Sequence, residues 1–168
     1  MPDDILEIKE KAALEKVTGF LTAVGIIVHY SPVSETSFLP GILIKNGELV
    51  IDIQRLQHPG DILHEAGHIA VAPPADRAIL HDNVTANRPG TEGEEMSVLL
   101  WSYAACLHLG IPPVFVFHPD GYKGESDWLL NNFRSGNYIG LPLLVWMGMT
   151  KDPGEPGGYP AMTKWLRE

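Results

Sequence analysis

Residues 61–70 read Asp61-Ile62-Leu63-His64-Glu65-Ala66-Gly67-His68-Ile69-Ala70, and the reading of this stretch decides the fold. His64 and His68 stand at i and i+4, so a helix sets both imidazoles on one face, one turn apart. Two ligands converging on one point is what a zinc ion requires. Glu65 lies just over a quarter turn round the helix, placed to reach a water at the metal rather than the metal itself and to act there as general base. Ile62, Leu63, Ala66, Ile69 and Ala70 are apolar or small, which predicts a helix built for burial. Gly67 costs about 1 kcal/mol of helix propensity against alanine, a cost that makes sense if another backbone packs closely against it. Asp61, after Pro59-Gly60, is the expected N-cap.

Two segments flank this helix. Upstream, Ile42 to Lys45 and Glu48 to Asp52 are apolar runs around Asn46-Gly47, the strongest short-range hairpin signal. A sheet edge beside a metal helix offers a place for an extended peptide to add a strand. Downstream, Glu94 to Leu109 carries Met96, Leu99, Leu100, Tyr103, Ala104 and Leu107 at helical spacing and ends in Gly110-Ile111-Pro112-Pro113. A catalytic zinc usually takes three protein ligands, and the acidic start of this helix is the best source of the third. Glu92, Glu94 and Glu95 also suit the positive end of a helix dipole, whatever else they do. Glu95 is preferred, because Ser102 and Cys106 continue its face and let two helices pack closely, whereas Trp101 continues the face of Glu94. Glu94, Glu92, His81 and His118 remain the alternatives.

The rest of the chain supplies framework and loops. Residues 4–24 form an amphipathic pattern with Leu6, Ala13, Val17, Phe20, Leu21 and Val24 on one side, an Asp3 or Asp4 cap and a Gly25 stop. Ile26 to Tyr30 reads as a short strand. From Val71 to Gly93 periodicity is lost among Pro73-Pro74, Asn83, Asn87 and Pro89-Gly90, a long irregular excursion of the kind often used as a lid or binding loop. Val114 to Phe117 reads as a short strand or buried run, followed by the turn His118 to Gly124. A helix from Trp128 to about Arg134, capped by Ser126 or Asp127, comes next. Residues 139–149, with Leu144, Val145 and Trp146, read as a buried segment, and 161–168 as a short helix docking Met162, Trp165 and Leu166. Oxyanion donors are sought among His118 and Tyr122, with His81 in reserve.

Composition narrows the function classes. The 168 residues fit one domain, 1–168. Twelve Lys+Arg against 21 Asp+Glu give a net charge of −9, and no basic run occurs, which argues against nucleic acid or an anionic membrane as partner. The single cysteine, Cys106, excludes an internal disulfide and predicts a reducing compartment. The acidic opening lacks a signal-peptide pattern and the longest apolar run is too short to span a bilayer, so a cytoplasmic protein is expected. The oligomeric state is not legible.

With its hairpin at 42–52, His64-Glu65-Ala66-Gly67-His68 and a later acidic helix, the chain resembles a minimal gluzincin, and within that group the small IrrE/ImmA-like metallopeptidases. The resemblance covers roughly residues 42–106. It implies an α+β, zincin-like domain in which a short antiparallel sheet packs on a central metal-binding helix and a following helix. It also implies zinc as cofactor, His64, His68 and one glutamate as ligands, and Glu65 as base. The expected function is therefore a zinc metallopeptidase acting on a peptide or protein. Two alternatives stand beside it, a zinc hydrolase of some small amide and a non-enzymatic interaction protein with structural zinc. The intact Glu65 speaks against the last, since a structural site needs no base.

Overall fold

The computed structural model of the chain describes residues 2–85, 88, 91 and 93–168, with side chains from residue 7 onward in the first helix. The side chains of Asp3, Asp4 and Leu6, and residues Asn87, Pro89, Gly90 and Glu92, on which expectations were placed, lie outside the described residues.

The chain is α+β. Helix α1 (Pro2–Val24) buries Val17, Phe20 and Leu21. It stops at Gly25, whose φ of 102° lets Gly25 N–H reach the Thr22 carbonyl and Ile26 N–H reach that of Leu21. This is the paired bonding of a glycine-closed helix end. Strand β1 (Val28–Tyr30) is shorter than the predicted run. Strands β2 (Ile42–Lys45) and β3 (Glu48–Ile51) form the expected hairpin. Asn46 (φ 53°) and Gly47 (φ 76°) both take the left-handed conformation that a two-residue turn of matching twist demands.

The sheet is mixed, not antiparallel as expected. Its order is β1-β3-β2, with β1 parallel to β3. The loop of residues 31–41 carries the chain past one strand position, and the tight hairpin then drops β3 into the gap between β1 and β2. The antiparallel half was written in Asn46-Gly47, whereas the parallel half depends on a loop with no signal of its own.

Helix α2 (Asp61–Val71) is the His-Glu-x-x-His segment, and nine of its residues, Ile62, Leu63 and Glu65 to Val71, are buried. Its start is pressed against residues 113–116. A Cβ on Gly60 would lie 1.7 Å from the Phe115 carbonyl oxygen, so only glycine fits. At its far end, carbonyls that have no partner within the helix are taken by two arginines. Arg77 donates to Ile69 and Ala72, and Arg167 donates to Ala70 through its backbone and to Val71 through its guanidinium.

Helix α4 (Glu94–Leu109) crosses α2 at Gly67. A Cβ there would sit 2.8 Å from Val98 Cγ1, 3.3 Å from Trp101 Cε3 and 3.5 Å from Ser102 Oγ. Close packing was expected from the small residues on the Glu95 face, but Trp101 lies in the same contact. It is the bare backbone of Gly67 that admits it. Gly110, with φ 66°, closes α4 as Gly25 closes α1.

Other expectations are corrected. The Val71–Gly93 excursion contains a short helix α3 (Pro74–Arg77), and Lys45 bridges to His81. Residues 113–115 form a 3-10 turn, not a strand, because the fixed φ of Pro112-Pro113 starts a turn; only Val116 and Phe117 of that run are buried. Helix α5 (Ser126–Arg134) begins two residues early, and Ser126 Oγ donates to the His118 carbonyl instead of capping the helix. Helix α6 (Leu141–Trp146) buries Leu144 but leaves Trp146 71% exposed beneath the Arg167 guanidinium. Residues 161–168 are not helical. The Trp165 carbonyl accepts from Trp101 Nε1 and Arg167 N–H binds Ala70, so tertiary bonds take the place of a helical ladder.

The buried side chains gather in one cluster drawn from α1, the sheet, α2, α4, α5 and residues 141–159. Cys106 belongs to it, and burial pushes its thiol up to about 12. No helix among the described residues is long and apolar enough to cross a membrane.

Gly67→Ala tests the crossing. Helix propensity would gain about 1 kcal/mol, but the added methyl meets the stiff, β-branched Val98, and overpacking of this kind costs about 1–3 kcal/mol. The expected result is a lower urea midpoint with an unchanged slope; a raised midpoint would show that the helices have slack.

Candidate metal centre

The α2–α4 crossing sets the chemistry. One and two turns beyond Gly60, His64 and His68 project from α2 toward the first turn of α4, where Glu95 faces them. His64 Nε2 lies 3.2 Å from Glu95 Oε1, and His68 Nε2 lies 3.2 Å from Glu95 Oε2. One ligand atom from each of the three residues falls within 4.8 Å of the others. An ion bound tetrahedrally at about 2.0–2.1 Å holds its ligand atoms about 3.3 Å apart. The two histidine–glutamate separations match that spacing, and two imidazoles and a carboxylate are donors that zinc accepts.

Glu94 does something else. Its carboxylate takes two bonds from the Arg88 guanidinium, at 3.0 and 3.2 Å, and Arg88 also lies 3.6 Å from Asp76. Two adjacent acids at one helix start are thus separated by a hundred-degree turn of the helix, one toward the histidines and the other toward an arginine. Glu92 lies outside the described residues. His81 is exposed and paired through its backbone with Lys45, away from the histidine pair.

The titratable groups influence one another strongly. Burial alone would lower the pKa of His64, but the hydrogen bond and charge of Glu95 outweigh it and raise the value. Burial alone would raise Glu95, yet His64 and His68 hold it well below the usual carboxylate range. Glu65, only 6% exposed, is pushed up by burial against the pull of both histidines. Its carboxylate makes no hydrogen bond with any described residue and lines the cleft. That leaves it free to take a proton.

The cleft has a volume of about 800 Å³. Its walls are the α2 face, the loop Phe38-Leu39-Pro40, residues 82–85 and the turn at 118–123. The outer edge of β2 is partly occupied already. Asp82 N–H donates to the Ile44 carbonyl and Ile42 N–H to that of Leu39, so a peptide cannot add along the whole of β2 as a further strand.

His118 and Tyr122 both line this cleft. Asp61, expected as an N-cap, instead lies 2.7 Å from His118 Nε2 and accepts a hydrogen bond from it. Gly60, not Asp61, precedes the first helical turn, and no side chain caps it. Tyr122 Oη lies 3.4 Å from His64 Nδ1, and its ring packs on Phe117 with centroids 5.2 Å apart. Burial pushes the phenol far above its ordinary value, so it keeps its proton. Tyr122 and Lys123 have φ of 57° and 54°, a conformation costly for non-glycine residues and often found where a side chain must be aimed.

The sequence reading missed three features here. Asp61 as partner of His118 was hidden, because a helix-start aspartate has an ordinary explanation. His58, beside the His118 ring at 3.8 Å, sits in a linker without periodicity. The Phe38–Pro40 wall carries no motif at all.

No family model matches the chain, and no curated protein or solved structure matches it either.

Two measurements test the centre. Glu95→Ala should lower zinc affinity by at least about tenfold in equilibrium dialysis. Glu94→Ala should keep zinc but lose about 1–3 kcal/mol of stability, by leaving the half-buried Arg88 only its longer contact with Asp76; the reverse pattern would exchange the two roles. The second concerns pH in metal-free protein. The raised His64 contributes stability fully below 6.5 and loses it as pH rises through its folded value, while the depressed Glu95 contributes above 4.5 and loses it on acidification. The stability difference between wild type and Glu95→Gln should therefore peak between 4.5 and 6.5 and shrink at alkaline pH. A difference independent of pH would mean that the pair is not ionic.

Proposed function

We propose that the chain is a zinc-dependent peptidase of gluzincin type, cleaving a peptide or protein. The observation that carries this reading is the free, buried Glu65 carboxylate, which faces an open cleft beside two imidazoles and a carboxylate at zinc spacing. Glu65 would be superfluous at a purely structural site, and a groove of about 800 Å³ has room for an extended chain rather than a small amide alone.

His64, His68 and Glu95 would hold the ion. Zinc bound there would supply a Lewis acid for the scissile carbonyl and would acidify water. Glu65 takes the proton from the attacking water and returns it to the departing amine. Its raised pKa suits both halves of that task, since a base matched to neutral pH must also be able to give its proton back. Tyr122 accepts from His64 Nδ1–H and has its own O–H left to donate to the developing oxyanion. His118 gives Nε2–H to Asp61, and whenever its Nδ1 also carries a proton it can donate to the same oxyanion. Asp61 thereby positions His118 without touching substrate.

Charge narrows the substrate class. Asp61, Glu65, Asp82, Glu95 and Asp120 line the cleft against one lysine, Lys123, and the chain carries −9. A neutral or basic peptide suits this lining better than an acidic one. The unpaired Cys106 suits a cytoplasmic setting.

Glu65→Gln tests the reading. Hydrolysis of a mixed peptide library by zinc-loaded protein should fall by at least about 10³-fold, with zinc content unchanged. Full activity in that variant would refute the mechanism. Hydrolysis of small amides without any peptide cleavage would replace the substrate class and keep the base.

A further inference from the structure

A second group of nitrogen and oxygen donors lines the cleft, apart from His64, His68 and Glu95. The imidazoles of His58 and His118 stack 3.8 Å apart, 9° from parallel. His58 Nε2 lies 3.5 Å from Asp120 Oδ2. One nitrogen of each ring and a carboxylate oxygen of Asp120 fall within 4.8 Å of one another. Imidazole lone pairs lie in the ring planes, so for both rings to bind one ion His58, the more exposed of the two, turns out of this stack.

His118 carries an independent sign of ligand function. Asp61 accepts from its Nε2–H at 2.7 Å, which in the neutral ring leaves the lone pair on Nδ1. That Nδ1 is buried and has no hydrogen-bond partner among the described residues. A buried acceptor left unpaired costs free energy, and a carboxylate behind an imidazole is the usual support of a metal-ligating histidine. His29, by contrast, is exposed and pairs with Glu48 alone.

We propose that His58, His118 and Asp120 form a second divalent-cation site, and that filling it withdraws His118 from the oxyanion and so inhibits hydrolysis. Two imidazoles and one carboxylate favour zinc, nickel or copper over magnesium or calcium. The inhibitory half rests on the peptidase reading, but the site itself does not.

The test is a metal count. Metal-free wild type, His58→Ala/Asp120→Ala and His64→Ala/Glu95→Ala are dialysed against zinc chloride, and bound zinc is measured by elemental analysis. Wild type should take about two ions per chain and each double variant about one. Asp120→Asn serves as a milder variant and should weaken the second ion by at least about tenfold. Zinc uptake by His58→Ala/Asp120→Ala equal to that of wild type would overturn the site.

Activity separates the two halves. Excess zinc should slow wild-type peptide hydrolysis at least about fivefold and leave His58→Ala/Asp120→Ala unaffected. Equal inhibition of both would refute the inhibitory role. If no form cleaved any peptide, the peptidase reading and the inhibitory role would fail together, while the zinc count would still decide whether the second site exists.

Discussion

The close crossing of α2 and α4 at Gly67 is the constraint from which the rest follows. With no side chain at that point, the two helices approach until Val98, Trp101 and Ser102 touch the α2 backbone. That approach brings the first turn of α4 level with His64 and His68 and sets Glu95 at 3.2 Å from each. A wider crossing would leave two histidines on a buried helix with no third donor. Packing comes first here, and the cluster of two imidazoles and a carboxylate is its product. The glycine-closed ends at Gly25 and Gly110 and the fit of Gly60 against Phe115 fix where the neighbouring segments begin and end.

Two carboxylates one residue apart show how a helix sorts chemistry. Glu95 faces imidazoles and is held ionised by them. Glu94 faces a guanidinium and is satisfied by two bonds from it. Glu65, four residues before Ile69 on the other helix, has no hydrogen-bond partner among the described residues, and burial raises its pKa above the ordinary carboxylate value. Three glutamates thus receive three environments from the same pair of helices, and the differences lie in what faces each one.

Much of this was legible in the sequence, for reasons that differ by element. The hairpin was written in Asn46-Gly47, which only one turn geometry suits, and α4 was bounded by its acids and by Gly110. These are local signals, and the structure gives the helix the predicted limits, Glu94–Leu109. Non-local features were less readable. The parallel pairing of β1 with β3 depends on the path of residues 31–41, and Val114-Phe115-Val116-Phe117 has the composition of a strand or buried run, which hides the turn at 113–115 while Val116 and Phe117 are indeed buried. Asp61 was assigned the cap that its position suggested, whereas its carboxylate reaches His118, 57 residues away. Trp146 reads as core by type yet lies outside, under Arg167. Of the cleft, the α2 face was written in the motif, while the walls supplied by Phe38–Pro40 and residues 82–85 come from loops whose placement no short pattern records.

The two arginines at the end of α2 give the helix carrying the histidines a property that neither its composition nor its length would supply. A helix ordinarily frays from its last turn, because the carbonyls there look to water and exchange partners freely. In α2 those carbonyls are handed to Arg77 and Arg167, and Arg77 also binds the Arg167 carbonyl, so the two cations and the tail lock together. His68 stands within one turn of that lock. The stretch of chain around residues 165–167 is therefore a mechanical clamp on a histidine nearly a hundred positions earlier. Anything that loosened it, such as a protease nick or a partner drawing it away, would be felt first as added play in one imidazole of the pair.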